Sequence, residues 1–107
     1  MQLSEVQQRV DKWISQFEEG YFSPTGMILR LTEELGELAR EVNHEFGEKR
    51  KKPTEAVGSL AMELGDLLFV LVSMANSLDI DLETTFLTVM EKFEARDANR
   101  WTRKMLE

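Results

Sequence analysis

The stretch AVGSLAMELGDLLFVLVSMANSL, Ala56 to Leu78, constrains this chain more than any other. Its 23 residues are apolar around most of a helix and include two charged side chains, Glu63 and Asp66. A helix with so little polar face must be covered on nearly all sides. The two acids lie three apart, hence on one helical face, and have the same sign. Burying an ionised carboxylate without a partner costs on the order of several kcal/mol or forces it to take up a proton. Glu63 and Asp66 therefore need a positive partner. Crossing a membrane is the other use of such a run, but a span takes about 20 predominantly apolar residues. The charge-free run after Asp66 has 12, and both acids would lie near the bilayer centre. A core helix is the better reading.

The remaining composition agrees with one soluble helical domain spanning residues 1–107. That length suffices to bury a single core. Hydrophobic residues make up 42% and charged residues 31%, which excludes a disordered chain. With no cysteine there is neither a disulfide framework nor a thiolate metal site, as expected of a protein in the reducing cytoplasm. The opening MQLSEVQQRV has no apolar run of the kind a leader needs. A net charge of −7 argues against a nucleic-acid backbone as partner. An acidic protein that binds an anion such as a nucleotide would recruit a divalent cation to do so.

Hydrophobic periodicity predicts four helices. Leu3, Val6, Val10, Trp13, Ile14 and Phe17 mark a first helix over residues 3–18. Ser23 and Pro24 read as the N-cap and first position of a second, which runs to about Phe46. Its stripe is Met27, Ile28, Leu31, Leu35, Leu38 and Val42. After the charged connector GEKRKKP, Thr54 is the expected cap of a third helix reaching Leu78. Asp81 is the expected cap of a fourth, with Leu82, Phe86, Val89, Met90 and Phe93 as its stripe. The predicted fold class is all-α, a four-helix bundle-like subunit. Met62, Phe69 and Val70 extend the apolar surface around helix three further than so small a subunit can cover. A homo-oligomer, dimer or tetramer, is therefore expected.

At about 100° per residue, the second-helix stripe is centred near Leu31. Glu34, Glu37 and Glu41, with Arg30, form a row along one edge of it, whereas Glu33 points away. Three fates are open to Glu63 and Asp66: pairing with a basic side chain, exposure at a packing gap, or holding a cation together with that row. An all-oxygen donor set suits Mg²⁺ or Mn²⁺ better than zinc. On spacing alone the metal and salt-bridge readings stand level.

EELGELAREV followed by MELGDLLFVLV resembles the MazG-type nucleoside triphosphate pyrophosphohydrolases, an all-α superfamily related to dimeric dUTPases and dCTPases. Their signature pairs Glu-x-x-Glu on one helix with Glu-x-x-Asp on the next. This chain has Glu34-Leu-Gly-Glu37 and Glu63-Leu-Gly-Asp66, with 25 residues between. The resemblance implies a Mg²⁺-dependent hydrolase, with Mn²⁺ a possible substitute, cutting a (d)NTP between its α and β phosphates. It implies Glu34, Glu37, Glu63 and Asp66 as metal ligands, with Glu34 or Glu37 taking a proton from the attacking water. EKFEARDANRW resembles the family's phosphate-contacting segment, which implies phosphate roles for Lys92, Arg96 and Arg100. Relatives stack the base on aromatic residues from the first helix, which makes Trp13 a nucleotide-binding candidate beside its plainer reading as core. His44 is the candidate for base contact across a subunit boundary, beside its plainer reading as a surface histidine. Arg30 is expected to bridge Glu34 and Glu37. The alternative function is a non-catalytic helical interaction module, in which the acids make inter-helix salt bridges. A di-iron bundle would want Glu-x-x-His motifs, which neither helix has.

Overall fold

The computed structural model describes residues 1–47 and 59–105. Among these, all regular structure is helical: α1 (Leu3–Ile14), α2 (Pro24–Phe46), α3 (Leu60–Ser77) and α4 (Leu82–Arg96). Local chemistry sets the ends. Ser23 Oγ accepts from the Gly26 amide at 3.1 Å, and Pro24 takes the first helical position, where its missing N–H costs nothing. Asp81 caps α4 by accepting from the Glu83 amide and the Thr84 hydroxyl, both at 3.0 Å.

Two predicted boundaries move. α1 stops at Ile14 rather than near residue 18, because the chain tightens into successive three-residue turns. Phe17 N–H bonds Ile14 O, Gly20 N–H bonds Phe17 O, and Gly20 takes φ +58°, which favours glycine. The described part of α3 begins at Leu60, where Ser59 Oγ accepts from the Met62 amide at 3.3 Å. Thr54, the expected cap, lies outside the described residues.

α2 packs along α3, α1 on α3, and α4 on α1. Ser77 Oγ lies 3.6 Å from Met27 Sδ, so the start of α2 meets the end of α3 and the two helices run antiparallel. Met27, Val70, Val72 and Ala75 form the dry centre, with Val72 fully buried. By length and composition α3 could also cross a membrane. Its acids, however, sit on the face it shares with α2.

The all-α, four-helix prediction holds, but among the described residues the four helices do not close into one bundle. α4 has no seam with α2 or α3 comparable to its seam with α1. The radius of gyration is 18.0 Å, against about 13 Å for a compact chain of this length. The stripe residues Leu35, Val42, Phe86 and Phe93, and Leu64 and Leu68 of α3, consequently stay exposed. Helical periodicity marks which faces are apolar but not what covers them.

A polar node sets where α4 departs. Gln7 Nε2 donates to Asn76 Oδ1 and to Ile80 O, its Oε1 accepts from the Leu82 amide, and Asn76 Nδ2 donates to Gln7 O, each at 2.9 Å. Gln7→Ala would leave the Leu82 donor and the Asn76 acceptor without this partner. We expect a loss of about 1–2 kcal/mol, read as a lower urea midpoint with an unchanged slope.

Candidate functional site

Antiparallel packing of α2 on α3 brings the two Glu-x-x-acid motifs face to face. Glu34, Glu37 and Glu63 each present a carboxylate oxygen, and the three atoms lie within 4.8 Å of one another. Glu34 is only 9% exposed, while Glu37 is exposed and closes the outer side. One oxygen of Glu34 and one of Glu63, Oε2 in each case, is buried with no hydrogen-bond partner. Burial raises the pKa of both groups, and the neighbouring Glu37 and Asp66 charges raise them further. Arg30, 3.9 Å from Glu34 Oε1, offsets part of this for Glu34. It is one turn away on the same helix and has no counterpart at Glu63, where the acting charges are all carboxylates. Among the described residues, the cation acting on these acids is thus Arg30 of the same helix, and not a partner on the facing helix as the interaction-module reading requires. Asp66 is exposed and adds charge to the cluster without joining the three convergent oxygens.

The residues fit a divalent cation. Three converging oxygens, two of them on groups whose orphaned atoms face no donor, form a hard anionic donor set of the kind Mg²⁺ and Mn²⁺ take.

Beside the cluster lies a cavity of about 310 Å³ lined by Trp13, Phe17, Tyr21, Phe22, Met27, Arg30 and Phe69, among others. Arg30 belongs to both, since it lines the cavity and pairs with Glu34. Trp13 is 57% exposed and meets Phe17 edge to face at 5.1 Å. The plain core reading of Trp13 therefore fails: its flank of α1 faces the cavity rather than a neighbouring helix. Tyr21 is fixed by donating to Asp11 Oδ1 at 2.5 Å. Burial and that carboxylate push its pKa up to about 12. Periodicity missed Tyr21 and Phe22, for which the available signal was the aromatic pair inside the EEGYFSPTG break, and it read Phe69 as surface to be covered by a second subunit rather than as cavity lining.

The other predicted site residues lie elsewhere in the chain. Lys92 and Arg96 sit over the Phe93 ring at 5.0 and 5.3 Å. Arg96 and Arg100 share the Asp97 carboxylate, at 3.1 and 3.7 Å. All three cations belong to α4 or the turn after it, and α4 packs mainly on α1, with no comparable seam to the acid-bearing pair among the described residues. His44 is half-buried rather than superficial. It lies ten residues beyond Glu34 on α2, about 15 Å along the axis.

Residues 22–101 match the model of the MazG nucleotide pyrophosphohydrolase domain, a span that holds both acidic motifs and α4. The chain belongs to the MazG family. It is a hydrolase of the nucleotide pyrophosphohydrolase type. YpjD of Bacillus subtilis (strain 168), an uncharacterised protein, is 62% identical over 102 residues, covering 95% of this chain and 92% of that one. The crystal structure of YpjD, described as a candidate pyrophosphatase, superposes with a TM-score of 0.79 at 60% identity over 87% of this chain and 95% of that one. A second MazG crystal structure, the Bacillus-conserved nucleotide pyrophosphohydrolase, gives 0.78 at 56% identity, covering 91% and 94%. In this MazG chain the acid cluster and the aromatic cavity are neighbours, joined through Arg30.

Proposed function

We propose that this MazG protein hydrolyses (d)NTPs to (d)NMPs and pyrophosphate with Mg²⁺, Mn²⁺ serving as a substitute, in nucleotide-pool house-cleaning. The observation that carries this is the facing of two partnerless carboxylate oxygens, on Glu34 and Glu63, across the α2–α3 seam beside an aromatic cavity. Glu34, Glu37 and Glu63 would hold the cation, with Asp66 completing the set. When bound, the ion supplies polarisation of the α phosphate and a more acidic water.

The protein's own groups then have distinct tasks. Glu34 or Glu37, whichever oxygen is not engaged, accepts the proton of the attacking water. As the oxygen of that water bonds to the α phosphorus, the bond to the α–β bridging oxygen breaks and pyrophosphate departs. Lys92, Arg96 and Arg100 neutralise charge on the departing group. Trp13 and its aromatic neighbours offer π faces to the base, and His44 is placed at the edge of a base reached across a subunit boundary. The functional unit is an oligomer of 1–107 units, and the cysteine-free acidic chain is suited to the cytoplasm.

Pyrophosphate assays across canonical and modified (d)NTPs with Mg²⁺ test this. Monophosphate and pyrophosphate in equal amounts are expected. Release of inorganic phosphate would place the cut at the wrong bond, and no turnover on any triphosphate would end the reading.

A further inference from the structure

Arg30 stands at a junction and is only loosely held there. Its Nε lies 3.9 Å from Glu34 Oε1, and its side chain is 53% exposed. The guanidinium makes no hydrogen bond to any of the described residues. The pairing is weak for several reasons. The contact is long, the arginine is half in water, and a cation four residues before its acid is the poorer orientation on a helix. Such a pair shifts an equilibrium by only about two-fold. It also leaves Glu34 Oε2 buried without a donor, although an arginine fork can serve both oxygens of a carboxylate. Neither group is making the strongest contact open to it.

On its other side Arg30 lines the aromatic cavity. The hydroxyls there are already spent: Ser73 Oγ donates to Phe69 O at 2.8 Å, and Tyr21 donates to Asp11. Among the described lining residues, the side-chain donors left for a ligand are the Trp13 indole N–H and the Arg30 fork, and Arg30 is the cation. A planar guanidinium also stacks on aromatic faces, including that of a base. Two demands therefore fall on one side chain. With the acids metal-free, Arg30 is the charge opposing the repulsion of Glu37 and Asp66 at Glu34. Once a divalent cation sits on Glu34, the same guanidinium lies beside a charge of its own sign.

We propose that Arg30 is an exchangeable counter-ion coupling the two halves of the site: it pairs with Glu34 while the acids are metal-free, and turns into the aromatic cavity against the bound base when a divalent cation takes its place. The base as occupant rests on the function proposed above; the exchange does not. Cation and base then bind cooperatively even where no phosphate bridges them, and by linkage each tightens the other by the same factor.

Deoxynucleosides, which lack a phosphate, isolate this route. Their affinity for the native chain should rise about five-fold or more at saturating Mg²⁺. Arg30→Met should show no rise, and should bind Mg²⁺ itself about two-fold more tightly because a competing cation is gone. Arg30→Lys keeps the charge but not the planar fork. Its Mg²⁺ affinity should stay native while most of the rise disappears. A residue that merely supports the fold would instead weaken both ligands when changed to Met. That result, or a native chain that binds no deoxynucleoside more tightly with Mg²⁺, would overturn the proposal. A second readout needs no nucleoside. In a Trp101→Phe background Trp13 is the one tryptophan. Mg²⁺ alone should then alter its emission in the chain with Arg30 and not in the Arg30→Met chain; equal responses in both would also overturn the exchange. Coupling without turnover of any triphosphate would retain the exchange and sink the function, and turnover without coupling would do the reverse.

Discussion

Glu63→Gln is expected to cut pyrophosphate release by more than about 100-fold, since even groups outside a metal's ligand sphere cost 10–100-fold. The same change should raise the melting temperature of the metal-free protein at neutral pH. The two effects have one cause. Glu63 has a buried oxygen with no donor and sits against Glu37, Asp66 and Glu34, all of which disfavour its charge. Glutamine keeps the shape and removes that charge, and its amide can donate to a neighbouring carboxylate. A salt-bridge acid behaves oppositely, because its loss strands a cation and lowers stability. Thermal melts of both proteins in chelator, beside the activity assay, decide between them. A less stable variant with intact turnover would make Glu63 structural.

How far these roles could be read from the chain differs by element. The starts of α2 and α4 were legible because Ser23–Pro24 and Asp81 act through their own backbone, a few atoms away. The acidic face was legible for a related reason: helical geometry puts Glu34 and Glu37, and Glu63 and Asp66, on common faces whatever surrounds them. The convergence of Glu63 with the α2 pair followed from the signature, whereas the exposed position of Asp66 did not. Long-range placement was not encoded in any stripe. Leu35 and Phe93 have the spacing of core residues, yet both are exposed. Apolar periodicity states that a face wants covering and is silent on what covers it. Likewise the Gln7–Asn76 node joins residues 69 positions apart through two amides that look like ordinary surface residues in print.

The second large effect is on the pH dependence of stability, which should reverse when divalent cation is added. Glu34 and Glu63 have raised pKa values in the folded chain. The folded state thus holds their protons to higher pH than the unfolded state does. Their contribution to stability is greatest below the ordinary glutamate value and declines as pH rises from there through the folded values. In metal-free buffer the melting temperature should therefore climb as pH is taken from about 8 to about 5. Mg²⁺ needs the ionised carboxylates, so protons compete with it and its stabilisation should be largest at the alkaline end. At a hundred times its dissociation constant the gain is about 2.7 kcal/mol, worth roughly 10 °C for a domain of this size. That exceeds the climb it opposes if the ion binds well, so the slope with Mg²⁺ should be flat or inverted. Glu63→Gln removes one proton site and one ligand together, and should weaken both trends. A metal-free protein that loses stability between about pH 8 and 5, or a native protein whose melting ignores Mg²⁺, would contradict the assignment of these acids as the cation site.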